Sequence, residues 1–469
     1  MKSPSTRNVG RREFLQTSLS VSSGAGLTLA RPRLGIASKS VGLEVGEGTV
    51  DITPATGTLL AGFHCTPGME RRVEDIRQPT AARAIVLRTA GTTVALISVD
   101  LLGVSKEMAK GVRSQVAKKT GILASNIRIT ATHSHSTPTG HPLLHWGGLP
   151  RKYLKMVETS IVTAVESALQ DLALAEVYVG KTSVAGANFN RTVEQWKNEK
   201  DFTKDSSDTE RWLDREVHVL HFERMAPKTN ILWYHFSAHP VCYTDRQSGP
   251  DWPGVVQTII EREEKLTPSL LQGHIGDVNP GNGEPWLGNP DDTGKLIAQG
   301  IQQAMTSSQK VSVEGIRTRT WNIGVPLDMV THNKQLEQFK KNPEDCIKDE
   351  WVSEAFAAAW YKMASEWEYK KPSLATEVSA IALGDVVLFF HAAELFSYYG
   401  LRIRHESPFE HSILVGYTNE FIGYMTDPTS HEKREYAAAV VPKIIGFPPF
   451  TPDASREFTR QSVGLLKTV

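Results

Sequence analysis

Between residues 84 and 179 the spacing of apolar side chains switches repeatedly between the period of a strand and that of a helix. Ala84-Ile85-Val86-Leu87 and Val94-Ala95-Leu96-Ile97-Ser98-Val99 are nearly continuous apolar runs of buried-strand length. Ala90-Gly91 between them predicts a hairpin. Ser105 to Lys119 reads as a helix, with Ser105 placed as its N-cap and Gly121 just past its end. Ile127, Ile129 and Ala131 then alternate with Arg128, Thr130 and Thr132, which predicts a short strand over 126–132. Residues 152–170 return to the helical period through Leu154, Val157, Ile161, Ala164 and Ala168, and Glu176 to Val179 resumes a strand.

The same alternation runs through the rest of the chain. Residues 42–52 (GLEVGEGTVDI) alternate as a strand, as do Val217 to Phe222 and Ile231 to Phe236. Thr293 to Met305 predicts a helix, and Val311 to Val325 and Ser379 to Phe390 predict strands. Three stretches interrupt the pattern: a polar excursion at 186–215, a loop at 273–292, and a polar, then Ala-rich, helical insert at 332–367. Strands interleaved with helices, without a repeat or a cutting linker, imply one large α/β domain over 38–469, layered from mixed β-sheets flanked by helices.

Composition narrows the class. Apolar residues make up 40% and charged residues 22%, and the formal net charge is zero. The balance is that of a globular protein, with no field to draw it to nucleic acid or an anionic membrane. Cys65, Cys242 and Cys346 lie far apart, which leaves no disulfide framework and no cysteine-based zinc site. Arg11-Arg12 precedes a weakly apolar stretch from Thr17 to Ala30, the pattern of a twin-arginine export signal over residues 1–37. The mature protein is therefore expected to be periplasmic or secreted, and no later run reaches the roughly twenty apolar residues of a transmembrane span.

Candidate chemistry sits where strands end. The strand over 126–132 runs into His133-Ser134-His135, and alternation along a strand puts both imidazoles on one side, half of a transition-metal site. His239 ends another strand at the Pro240 break. Glu394 follows the apolar strand Leu388-Phe389-Phe390, where a buried carboxylate has to be paired or metal-bound unless it starts a helix. From the residues alone, hydrogen-bonded structural roles stand open for each of these. Asp277, Asn279, Asn282 and Glu284 interleave with glycines, a spacing that fits a turn better than a calcium loop. His141 and His145 are expected at a pocket mouth or on the surface.

Six blocks together carry a resemblance: VDITPATG (50–57), ISVDLLG (97–103), THSHSTPTG (132–140), QGHIGDVNPG (272–281), HAAELF (391–396) and GYMTDPTSHEKREY (423–436). In this order they resemble the neutral/alkaline ceramidase family, over roughly residues 45–440. The family's members use one zinc to hydrolyse the amide of N-acylsphingosines. The resemblance implies that His133, His239, Glu394 and Tyr424 bind Zn2+. It implies that His135 bonds the substrate carbonyl or its oxyanion, and that Arg191, in GANFNR, and Tyr436 lie at the site.

Two departures qualify the expectation. Where the family's GDVSP loop carries a serine, this chain has Asn279, which cannot act as a nucleophile. The chain also ends soon after Tyr436, leaving no room for the family's C-terminal immunoglobulin-like domain of about 100 residues. The expected function is a secreted zinc-dependent hydrolase of an amide or related acyl bond, acting on a lipid or small-molecule acyl substrate through a metal-activated water that Asp277 or Asn279 orients. The alternatives are a non-catalytic metal-containing binding protein and a hydrolase of a non-lipid ester or amide.

Overall fold

The hairpin expected around Gly91 forms the middle of the molecule. Ala81–Arg88 pairs antiparallel with Thr93–Val99, and Glu44–Asp51 lies antiparallel on the other side of Ala81–Arg88. The computed structural model describes residues 42–346, 353–366 and 372–469. The expected export signal and part of the helical insert lie outside the described residues.

These strands belong to a nine-stranded sheet. Its order is Pro268–Gln272, Ile231–Phe236, Glu216–Arg224, Ala173–Ser183, Glu44–Asp51, Ala81–Arg88, Thr93–Val99 and Ile127–Ala131, with Gln309–Val311 added on Ala173–Ser183. Both ends of this order are parallel pairs, whereas the middle is antiparallel. A second sheet holds Ile316–Pro326, Ser373–Leu383, Val386–Phe390 and His411–Val415, and its last pair is again parallel.

The continuous apolar runs are explained by burial on both faces. Along Thr93–Val99, Val94 and Leu96 join a core that also holds Ile381, Leu388 and Val415 of the second sheet. Ala95, Ile97 and Val99 join the core built with the helices Lys106–Thr120 and Arg151–Gln170. The helices Trp252–Glu264 and Pro290–Thr306 cover another part of the large sheet, and Glu354–Glu366, Ser397–Glu406 and Ala454–Leu466 contribute to the core on the second sheet's other face. The fold is thus the expected α/β domain of mixed sheets flanked by helices. Among the described residues there is no immunoglobulin-like sandwich and no helix long and apolar enough to cross a membrane.

Local signals set the boundaries. Ser105 Oγ accepts from Met108 N at 3.2 Å, and Gly121 ends that helix at φ 75°. Helix Arg151–Gln170 presses directly on Glu44–Asp51, where a Cβ on Gly46 would lie 2.1 Å from Ala168 O. The Ala-rich part of the helical insert buries Phe356 and Trp360. Their spacing gives helix Glu354–Glu366 an apolar face that packs inward.

The three parallel pairs aim their C-terminal ends at one region, where open α/β sheets carry ligands. His133 follows Ile127–Ala131, His239 follows Ile231–Phe236, Asp277 follows Pro268–Gln272, Glu394 follows Val386–Phe390, and Tyr417 follows His411–Val415. The edges of the large sheet are tied together there. Ser98 Oγ donates to Leu270 O at 2.7 Å and Gln272 Nε2 to Thr132 O at 2.9 Å.

Candidate metal centre

The strand that leads to the histidine pair stops at Ala131. His133 has φ 64°, in the left-handed region, so alternation along a strand is not what brings it beside His135. The expectation of a strand face is corrected to a turn whose backbone is fixed from outside. His133 N donates to Leu101 O at 3.0 Å, His135 N donates to Pro240 O at 2.9 Å, and Arg71 Nη1 donates to His135 O at 3.0 Å.

The rings of His133, His135 and His239 then converge, with one ligand nitrogen from each within 4.8 Å of the others. Their orientations share one device. Nδ1 of His133 lies 2.6 Å from Leu102 O, Nδ1 of His135 2.9 Å from Gly62 O, and Nδ1 of His239 2.8 Å from Val278 O. A carbonyl only accepts, so each Nδ1 carries a proton and each ring turns its Nε2 away from that carbonyl. Nε2 of His135 and of His239 are buried with no hydrogen-bond partner among the described residues. Gly62 is needed for this arrangement: its φ is 100°, and a Cβ there would sit 2.5 Å from His135 Nδ1.

Glu394 supplies the carboxylate. Its backbone pairs in parallel with Tyr424, and Oε2 lies 3.4 Å from Nε2 of both His133 and His239. Burial opposes its ionisation, but the two imidazoles outweigh burial and hold the carboxyl well below the usual carboxylate range. Burial, then the charge of Arg191, brings His239 down to about 4, and burial with the neighbouring imidazoles lowers His135 far below the ordinary value. Neutral His135 and His239 beside an ionised carboxylate are protonation states that a divalent metal needs. The buried histidine group can therefore hold a metal ion, and the donor set with its unpartnered nitrogens fits zinc.

Tyr417 was not among the residues singled out from the sequence. Its OH donates to Glu394 Oε2 at 3.2 Å, and its ring stacks on His133 at 4.2 Å between centroids. Only its place after His411–Val415, another parallel strand end, could have marked it.

Beside this cluster Arg191 organises the remaining expected residues. Its Nη2 donates to Tyr424 OH at 2.7 Å and to Gly276 O at 2.9 Å, and its Nη1 to Asn279 Oδ1 at 3.3 Å. Tyr424, expected as a metal ligand, lines the cavity but gives its oxygen to Arg191 as an acceptor. His135, expected only to face substrate, joins the other two imidazoles. Asn279 Nδ2 donates to Trp286 O at 2.9 Å, which leaves its amide engaged at both ends. Asp277 accepts from Ser397 N and Oγ, each at 2.8 Å, and from Asn190 Nδ2 at 2.8 Å. Its carboxylate is occupied in holding the loop together.

Above the imidazoles lies a cavity of ≈ 50 Å³. Besides His133, His135, Glu394, Tyr424 and Tyr436, its walls include Leu102, Leu143, Trp146, Phe421 and Ile444. His141 is buried, and His145 packs edge-on against Phe356 at 5.6 Å. The 273–292 loop holds the short strand Val278–Pro280, which pairs antiparallel with Asn188–Asn190 of the polar excursion.

The family model for neutral/alkaline non-lysosomal ceramidase, N-terminal, matches residues 43–304. The chain belongs to the neutral/alkaline ceramidase family. The fold of this ceramidase-family chain resembles that of the neutral ceramidase from Pseudomonas aeruginosa, with a TM-score of 0.70, 17% identity, and 91% of this chain and 74% of that one covered. A structure of a ceramidase complexed with C2 matches with the same TM-score of 0.70 at 18% identity, over 91% of this chain and 75% of that one. Family and fold together point to a ceramidase-like hydrolase.

Proposed function

We propose that this protein is an exported, zinc-dependent hydrolase of an amide or related acyl bond. The reading is carried by the three imidazoles, each fixed through Nδ1 on a main-chain carbonyl, whose Nε2 atoms meet beside the Glu394 carboxylate. His133, His239 and Glu394 would hold the metal, with His135 or Tyr424 completing the set. A zinc ion bound there supplies a Lewis acid for an acyl carbonyl and for water.

The chain's own groups do the rest. The Arg191 guanidinium lies against the Tyr424 phenol, so both can donate toward negative charge that develops on an acyl oxygen. Burial raises the Tyr424 and Tyr436 hydroxyls above the ordinary tyrosine value, so each keeps its proton and serves as a donor. Apolar walls exclude bulk water and strengthen those interactions. In the net reaction water adds to the acyl carbon, the bond to nitrogen or oxygen breaks, and a carboxylic acid and an amine or alcohol leave. The Arg11-Arg12 segment supports export.

Metal analysis together with a panel of N-acyl and ester substrates tests the reading. About one zinc per chain is expected, with turnover abolished by chelator. One observation favours a second reading, a non-catalytic metal-containing binding protein: the serine position holds Asn279, locked between Arg191 and Trp286 O. Bound zinc with no turnover on any acyl substrate would select it.

A further inference from the structure

The segments that meet around His135 share one side chain, Arg71. Its Nη1 donates to Ala61 O at 3.2 Å and to His135 O at 3.0 Å, while Nε and Nη2 donate to Asp245 O at 3.1 and 2.6 Å. Ala61 precedes Gly62, whose carbonyl takes the His135 Nδ1 proton, and Asp245 lies on the chain that leaves His239. The guanidinium therefore spans the carbonyl that orients the ring, the main chain that carries the ring, and the loop beyond a second imidazole.

Among the described residues, every hydrogen bond of Arg71 ends on a main-chain oxygen. Arg77, on the same segment, takes the Asp245 carboxylate instead. A guanidinium offers five N–H donors in a rigid plane, so it can fix several carbonyls relative to one another, which a lysine ammonium does less well. Arg71 Cζ also lies 4.8 Å from the Phe63 ring centroid, and Phe63 meets the His135 ring edge-on with 5.2 Å between centroids. One cation thus holds both groups that bracket the imidazole.

The fold does not depend on this tie. Ala61 N donates to Thr137 O at 3.1 Å and His135 N to Pro240 O at 2.9 Å, so the same segments stay joined without Arg71. What the guanidinium adds is the alignment of Gly62 with the histidine turn.

We propose that Arg71 is a positioning residue that acts through His135, holding the Gly62 carbonyl against the histidine turn so that the ring stays aimed into the imidazole cluster. Its effect on turnover rests on the acyl-hydrolase reading, whereas its effect on the ring does not. Loss of an outer partner that orients a metal-site imidazole costs about 10–100-fold in activity.

The test uses the zinc-loaded full chain labelled with 15N-histidine, with Arg71→Ala and Arg71→Lys compared to the wild type. The His135 Nδ1–H, bonded to Gly62 O, is expected as an exchange-protected downfield proton signal, assigned by its disappearance in His135→Gln. In both Arg71 variants that signal should shift or broaden, while the Nδ1–H signals of His133 and His239 persist. On the N-acyl and ester panel, kcat should fall about 10–100-fold with KM little changed, and guanidinium ion added to Arg71→Ala should restore part of the loss. Arg71→Lys keeps the charge and serves where the alanine variant does not fold. An unchanged His135 signal in both variants, or loss of all three ring signals together, would overturn the proposal. Absence of turnover by the wild type on every substrate would overturn the hydrolase reading, and the ring signals would then decide the role of Arg71 alone.

Discussion

His235 and His239 leave the same strand, yet their rings are used in opposite ways. His239 gives Nδ1 to a carbonyl and turns Nε2 towards His133, His135 and Glu394. His235 points Nε2 at Leu414 O, 2.9 Å away, and so spends on a carbonyl the nitrogen that its neighbour keeps free. Around His235 lies a second buried group. His274 Nε2 is 3.0 Å from Asp214, His218 Nε2 is 3.4 Å from Glu216, and Arg404 bonds both carboxylates at 2.7 and 2.9 Å. The Arg404 guanidinium and Lys181, whose Nζ lies 2.9 Å from Glu216, already answer the two carboxylates, and another cation would be repelled. Glu394 faces two imidazoles and a phenol, and its charge can be answered by an ion. Ring orientation, more than burial or histidine count, separates a metal site from a structural polar core.

The largest effect expected from breaking this contrast is at the metal cluster. Glu394→Gln or His133→Ala should reduce zinc from about one per chain to near none and remove turnover, read by metal analysis and by the acyl panel. Asp214→Ala should do the reverse. It strands the buried Arg404 charge and should lower stability by about 3–5 kcal/mol in denaturant titration, with zinc per folded chain unchanged.

Acid acts on the buried histidines. Burial, then repulsion from His274, pushes His391 down to about 3, and burial keeps His141 at about 4 and His239 at about 4. The folded state holds these rings neutral, whereas the unfolded chain takes up protons below about 6.5. Their stabilisation is complete above that pH and is lost as pH falls towards 4 and 3. The urea midpoint should therefore be lower at about pH 5 than at about pH 7.5.

Tyr417→Phe is the mildest change. Losing the hydroxyl that bonds Glu394 should weaken zinc binding about 10-fold in chelator competition, with little change in thermal stability. A loss of stability without a change in zinc affinity would make Tyr417 a packing residue.

Legibility in the sequence followed the range of the interactions. The hairpin around Gly91 and the helix from Ser105 to Gly121 are set by neighbours in the chain, and the structure reproduces both. Strand ends at His133, His239 and Glu394 could be located for the same reason, because Pro, Gly and polar residues interrupt apolar runs there. What could not be read is what meets across the fold. The left-handed turn at His133 is fixed by Leu101 O, Tyr417 reaches Glu394 only when two sheets pack, and Asp277 is claimed by Ser397. The helical period of the 332–367 insert was legible, but which sheet face Phe356 and Trp360 cover was not. Ligand assignment came from the family resemblance and not from spacing.

Anomalous diffraction at the zinc edge, on crystals of the purified full chain, tests the central claim most directly. One peak is expected, bonded to Nε2 of His133 and His239 and to the Glu394 carboxylate. A zinc-supplied protein with no peak between those side chains, or with the ion seated elsewhere, would contradict the account.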